Sequence, residues 1–274
     1  MKTLPIITAT VIAAILAVPA SAHWDTGDPF KMHWPQMPDL ETGLDVLATV
    51  PKVLADDFLC TQTGPITSIH VWGSWLNDEF PIDPDETQNP GNVTFRLSLH
   101  KNIPAPSPDE FSRPGEEIWH GYFSPGSFKW RVWAENLREG FFDPNIPPGQ
   151  DPIIGHDSMV IQYNFHIPYT SEPPMQEEGN IYWLDLMAIP PVDQPAMTLF
   201  GWKSSLDAFE DDAVYGHVRA DGTLLNDWQP LIYPVGHPLE GKSLDLAFVI
   251  VPEPATMSVL LAGSLMVLLR RRRS

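Results

Sequence analysis

The strongest constraint on this chain is a two-residue rhythm broken by proline. Val93, Phe95, Leu97 and Leu99 alternate with Thr94, Arg96, Ser98 and His100, and Met159, Ile161, Tyr163, Phe165 and Ile167 alternate with Gln162, Asn164 and His166. Leu244, Leu246, Phe248 and Ile250 repeat the pattern. A period of two places one apolar face against a core and leaves the other wet, which is the signature of a β-strand. Shorter β-rich runs cover residues 66–75, 118–123, 128–133, 181–188, 197–203 and 216–219, with 230–233 a weaker case. Loops rich in proline and glycine lie between them at 81–92, 104–115, 143–155 and 171–179. The 30 prolines among 274 residues are about twice ordinary usage and fit long ordered loops between strands. No segment of the body shows a helical stripe. The expectation is an all-β fold, an antiparallel β-sandwich of jelly-roll-like topology with long proline-rich loops.

The two ends read differently. Lys2 precedes an apolar run from Leu4 to Val18, and Ala20, Ser21 and Ala22 form a small-residue exit site. Residues 1–22 are expected to be a signal peptide, entering as a helix and cut by signal peptidase after Ala22. At the other end residues 255–269 carry no charge and no proline, and Arg270, Arg271, Arg272 and Arg273 follow. A helix of that length covers roughly 22 Å, short of the roughly 30 Å hydrocarbon core but able to span with local thinning. The arginines would stop it on the cytoplasmic side of the inner membrane.

Val251, Pro252, Glu253 and Pro254, then the apolar helix, then the arginine cluster closely resemble the PEP-CTERM sorting signal of Gram-negative bacteria. That resemblance implies an exosortase as partner and cleavage near the Pro252, Glu253, Pro254 motif. It also implies an address at the cell surface or in an extracellular matrix, with membrane anchoring only before processing. The body, residues 23–250, reads as one ectodomain, and residues 251–274 as the sorting tail. Residues 23–41 form an expected irregular arm, since Pro29, Pro35 and Pro38 forbid a helix while Trp24, Phe30 and Trp34 call for burial.

A second resemblance spans most of the body. Asp56 to Cys60, Gly64 to Thr67, His70 to Trp75, Gly201 to Lys203 and Asp211 to Val214 look like an uncharacterised ectodomain family of exported planctomycete and verrucomicrobial proteins. It implies an architecture and carries no activity.

Charge excludes some partners. The chain has 16 basic and 35 acidic residues; setting aside Lys2, the four terminal arginines and Glu253 leaves 11 against 34. Such a body is repelled by nucleic acid and by anionic membrane surfaces. The single cysteine, Cys60, excludes an intrachain disulfide, and its apolar neighbours suggest a buried small side chain.

Chemical motifs are sparse. There is no H-E-x-x-H, C-x-x-C or G-x-S-x-G sequence, and the histidines are scattered. The acidic pairs Asp56, Asp57 and Asp211, Asp212 are candidate Ca²⁺ ligands if they sit in loops, although on a strand neighbouring side chains diverge. No other cofactor is implied. Ten tryptophans offer stacking surfaces for sugars, and Trp133 is the expected platform, because Phe128, Trp130 and Val132 already form an apolar face. The reading is an exported, exosortase-processed surface or matrix protein, a non-catalytic module for exopolysaccharide or envelope material. The alternative is a secreted carbohydrate-active hydrolase using a carboxylate pair.

Overall fold

The computed structural model describes residues 23–107, 110–147, 149–168, 173–195 and 198–252. Ala20, Ala22, Glu253, Pro254 and the arginines at 270–273, with the expected signal and transmembrane helices, lie outside the described residues. Among the described residues no helix is long and apolar enough to cross a membrane.

The fold is all-β. Its strands in chain order are β1 (Leu44–Leu47), β2 (Lys52–Leu59), β3 (Gly64–Trp75), β4 (Thr94–Ile103), β5 (Arg113–Phe123), β6 (Lys129–Phe142), β7 (Ile153–His166), β8 (Met175–Gln176), β9 (Ile181–Ile189), β10 (Phe200–Ser205), β11 (Val214–His217), β12 (Gln229–Pro230), β13 (Asp245–Leu246) and β14 (Phe248–Pro252). One sheet runs β13-β10-β1-β6-β7-β3-β14 with β8 added to β3, and the other runs β12-β11-β2-β9-β4-β5. The pairing is not wholly antiparallel as expected. Strand β1 runs parallel to β6, with Leu44 opposite Gly140, and Thr49 bridges Ala188 in parallel.

The two sheets share one aromatic core. Phe95 on β4 is fully buried, and its ring centroid lies 4.9–5.4 Å from those of Phe128, Tyr163, Phe165 and Phe200. Truncating a ring so placed costs about 3–5 kcal/mol in comparable cores. The indole of Trp75 donates to the Tyr163 hydroxyl at 2.8 Å, so these two buried polar groups satisfy each other.

Strand β3 is buried on both faces. Trp72 and Trp75 point to opposite sides and neither is exposed, because Trp24 of the arm and Trp133 of β6 cover Trp72 edge-on at 6.0 and 5.3 Å. The arm lies along the sheet edge: the Lys31 N–H donates to the Ile250 carbonyl, and the Gln36 N–H to that of Phe248. Of its three aromatics only Trp24 is buried, since Phe30 and Trp34 remain 40% and 45% exposed.

The last strand crosses the expected boundary at residue 250. Strand β14 pairs with β3 as far as Pro252, whose carbonyl accepts the Thr67 hydroxyl at 2.9 Å.

Candidate functional site

Among the described residues, polar and charged groups gather in surface hollows and in buried clusters. The first hollow, about 460 Å³, lies at the start of β6 and is lined by Asp83, Asn89, Asn92, Lys129 and Trp130, with Phe128 beneath. Trp130 is 38% exposed there. Gly91 closes one edge: a Cβ at that position would meet the Trp130 indole nitrogen at 2.6 Å, so only glycine lets the loop pack against the ring. Asn89 turns that loop by accepting the Gly91 N–H through its side chain.

This reverses the expectation for Trp133. Alternation runs regularly from Trp130 to Trp133, but the covered face is the one that carries Arg131 and Trp133, and Trp133 packs inward against Trp72 before the strand bulges between Val132 and Ala134. The Arg131 guanidinium covers its ring at 5.1 Å. Trp130 and Val132, expected in the core, are the exposed residues.

The second hollow, about 570 Å³, opens on the outer face of the six-stranded sheet between the loops that precede β5 and follow β11. Its floor is a charged network on β4 and β9. The wet face expected for β4 is covered: Arg96, Ser98 and His100 are 3%, 0% and 9% exposed. Register places Ser98 opposite Asp185. The Ser98 hydroxyl donates to Asp185 Oδ1, and His100 Nε2 lies 2.8 Å from Asp185 Oδ2. His100 Nδ1 donates to the Gly115 carbonyl at 3.0 Å. Arg96 donates to Ser98 and to Glu117, with Gly222 of the covering turn packed on its guanidinium.

A serine, a histidine and an aspartate thus meet, but not as a nucleophilic triad. His100 Nε2 meets both Ser98 Oγ, at 3.1 Å, and Asp185 Oδ2, while Nδ1 is taken by the Gly115 carbonyl and the Ser98 proton goes to Asp185, so the carboxylate-to-Nδ1, Nε2-to-serine order of a triad is not formed. Burial opposes charge on His100, yet Asp185 more than offsets it and holds the imidazole above its ordinary value. Burial also opposes charge on Asp185, and His100 and Arg96 pull its carboxyl below the usual range. Glu110, Arg113, Asp227 and Trp228 line the walls.

The expected Ca²⁺ ligands divide across β2. Asp56 points to the inter-sheet side, where its carboxylate accepts from the Gln36 side chain, the Leu246 N–H and the Asp57 N–H. Asp57 points to the other side and is fully buried with no hydrogen-bond partner on either oxygen. Burial, then Asp245, Glu210 and Asp211, push its carboxyl to about 9. Asp212 is held with Ser243 and raised by burial. The structure therefore brings Asp57 and Asp211 near each other and takes Asp56 out of the set. Among the described residues, the trio whose ligand atoms lie within 4.8 Å of one another is a different one, Asp45, Glu139 and Asp157. Lys203 already stands among them, its Nζ 2.7 Å from Glu139 Oε1 and 3.4 Å from Asp45 Oδ2.

Residues 32–251 match a family described as a domain of unknown function, DUF7901. The chain belongs to that family. The DUF7901 match spans both hollows and both buried clusters, and stops one residue short of the Pro252, Glu253, Pro254 motif. No curated protein matches the chain.

Sequence reading missed the Arg96, Ser98, His100 network and the Lys203 cluster. The first had a signal: three polar residues in step on one strand, which could equally have been a buried polar face. The second joins residues from four separate strands and left no local trace.

Two predictions follow from these charges. A raised His100 value means that its charge stabilises the fold fully below pH 6.5 and that this contribution is lost as pH rises through the native value. Asp185→Asn should lower the His100 titration midpoint in an NMR pH series, and His100→Gln should flatten the loss of melting temperature above pH 6.5; an unmoved midpoint in Asp185→Asn contradicts the pairing. For Asp57 the sign is the same, over a wider and lower window. Its carboxyl keeps a proton that the unfolded chain releases near 3.8, so stability falls with rising pH from there to about 9. Asp57→Asn should raise the melting temperature, by more at pH 8 than at pH 5, whereas a lowered melting temperature confined to Ca²⁺-containing buffer would mark Asp57 as a ligand.

Proposed function

We propose that this DUF7901 protein is an exported, exosortase-processed surface or matrix protein whose body is a non-catalytic binding module for a hydroxyl-rich polymer such as exopolysaccharide. The observation that carries the binding half is Trp130, an exposed ring in a hollow rimmed by amide, carboxylate and ammonium groups. A sugar ring offers an apolar face to an indole and hydroxyls to such a rim. The export half rests on the resemblance of the two ends to a signal peptide and a PEP-CTERM tail. On this reading signal peptidase and exosortase are processing partners and the inner membrane a transient one. The neighbours β1-β10-β3-β7 in one sheet and β2-β9-β4-β5 in the other support a jelly-roll topology.

A second reading, hydrolysis by a carboxylate pair, draws on Glu110, Asp185 and Asp227 in the larger hollow. Asp185 is committed to His100, Ser98 and Arg96, which weighs against it as a free acid or base.

Native protein should be retained on exopolysaccharide from the producing cells, and Trp130→Ala should weaken retention about tenfold, the loss of roughly 1.4 kcal/mol of stacking. Equal retention of the variant would remove the Trp130 site, and release of sugar by wild type but not by Glu110→Gln would favour hydrolysis. Replacing Pro252, Glu253 and Pro254 by alanine should leave the protein in the inner-membrane fraction; unchanged delivery would remove the sorting half.

A further inference from the structure

Five strands of the larger sheet close on themselves. Strand β10 pairs with β1 on one side and with β3 on the other, and the circuit β1-β6-β7-β3 completes the ring. Small residues make the closure possible: at Gly201 a Cβ would meet Asp45 and the Phe141 ring at 2.9 Å, and at Gly155 it would meet Leu76 at 2.5 Å. Leu47, Leu76 and Phe141 fill one level of the interior. The neighbouring level is charged. Asp45 and Lys203 face each other across β1 and β10, and Glu139 faces Asp157 across β6 and β7. The Lys203 and Asp45 side chains have no exposure, and Glu139 and Asp157 are 5% and 4% exposed.

Three acids around one lysine is an expensive arrangement for ions alone, since an excess of buried like charge is costly. It is, however, the arrangement that amide formation needs: an amine, an acceptor carboxyl and two further carboxyls to carry protons, all away from water.

We propose that Lys203 and Asp45 condense spontaneously into an intramolecular amide, Nζ to Cγ, with Glu139 and Asp157 as the proton-transfer groups. The Lys203 ammonium gives a proton to Glu139, which it touches at 2.7 Å. The amine lone pair then attacks Asp45 Cγ, forming the C–N bond, while the Asp157 carboxyl protonates an Asp45 oxygen. Burial and Asp45 push Asp157 to about 10, so it holds that proton at neutral pH. Glu139, raised by burial to about 7, can both accept and return one. The nitrogen gives up a second proton to Asp157, Glu139 passes the first to the departing oxygen, the C–O bond breaks and water leaves. Ammonium plus carboxylate become amide plus one water, both proton carriers return to their starting state, and no oxidant or outside reactant is required. The product removes one positive and one negative charge from the ring and joins positions 158 residues apart.

The test is peptide mapping of the full chain purified in folded form, with near-ultraviolet circular dichroism to verify the fold. A branched peptide joining the segments that contain Asp45 and Lys203, one water lighter than their sum, is the expected result, and trypsin should not cut after Lys203. Glu139→Gln should yield the two linear peptides instead. Wild-type protein that is folded yet gives linear peptides with free Asp45 and Lys203 in full yield overturns the proposal, whatever the variant does; so does a branched peptide that persists undiminished in both Glu139→Gln and Asp157→Asn.

Discussion

Strand β10 is the piece on which the rest of the structure depends. It is six residues long, buried throughout, and hydrogen-bonded along both edges. Phe200 and Trp202 face the inter-sheet core, where Trp202 donates its indole N–H to Ala247 and Phe200 packs on Trp75 and Phe95. Gly201 and Lys203 face the ring interior. One short segment therefore holds the sandwich core with one set of side chains and the charged ring with the other, and its final residues splay away to pair with β13.

Where apolar and polar residues alternate, or β-branched and aromatic residues run together, the sequence declares a strand even when both faces are covered, as in β4 and β9. Strand β2 is not declared in this way because Val53, Leu54 and Ala55 are apolar in succession and Asp56 and Asp57 acidic in succession, so its sequence carries no alternation. The second half of β6 is hidden for another reason. Its bulges interrupt the period, and Glu135, Asn136 and Arg138 sit on exposed backbone. Trp130 and Trp133 exchanged roles because Trp72 and the arm cover the face that carries Arg131 and Trp133, a matter of tertiary packing that no count of tryptophans could have foreseen.

The site residues were legible to the extent that they were local. An acidic pair can be seen in sequence, but which member faces which neighbour is set by the pleat of β2, and the pleat separates Asp56 from Asp57. The Lys203 cluster assembles from β1, β6, β7 and β10, so its existence is a property of the sheet order. The all-β class is readable because each strand repeats a short rule.

The end of β14 has a mechanical meaning. Pro252 is still bonded to Thr67, so a tether attached beyond it would begin where the folded sheet ends, with no slack chain between. Tension along that tether would enter β14 lengthwise and be shared at once by its ladder with β3 and by the arm bonded to Ile250 and Phe248. Drag on the body would be resisted by many bonds strained together.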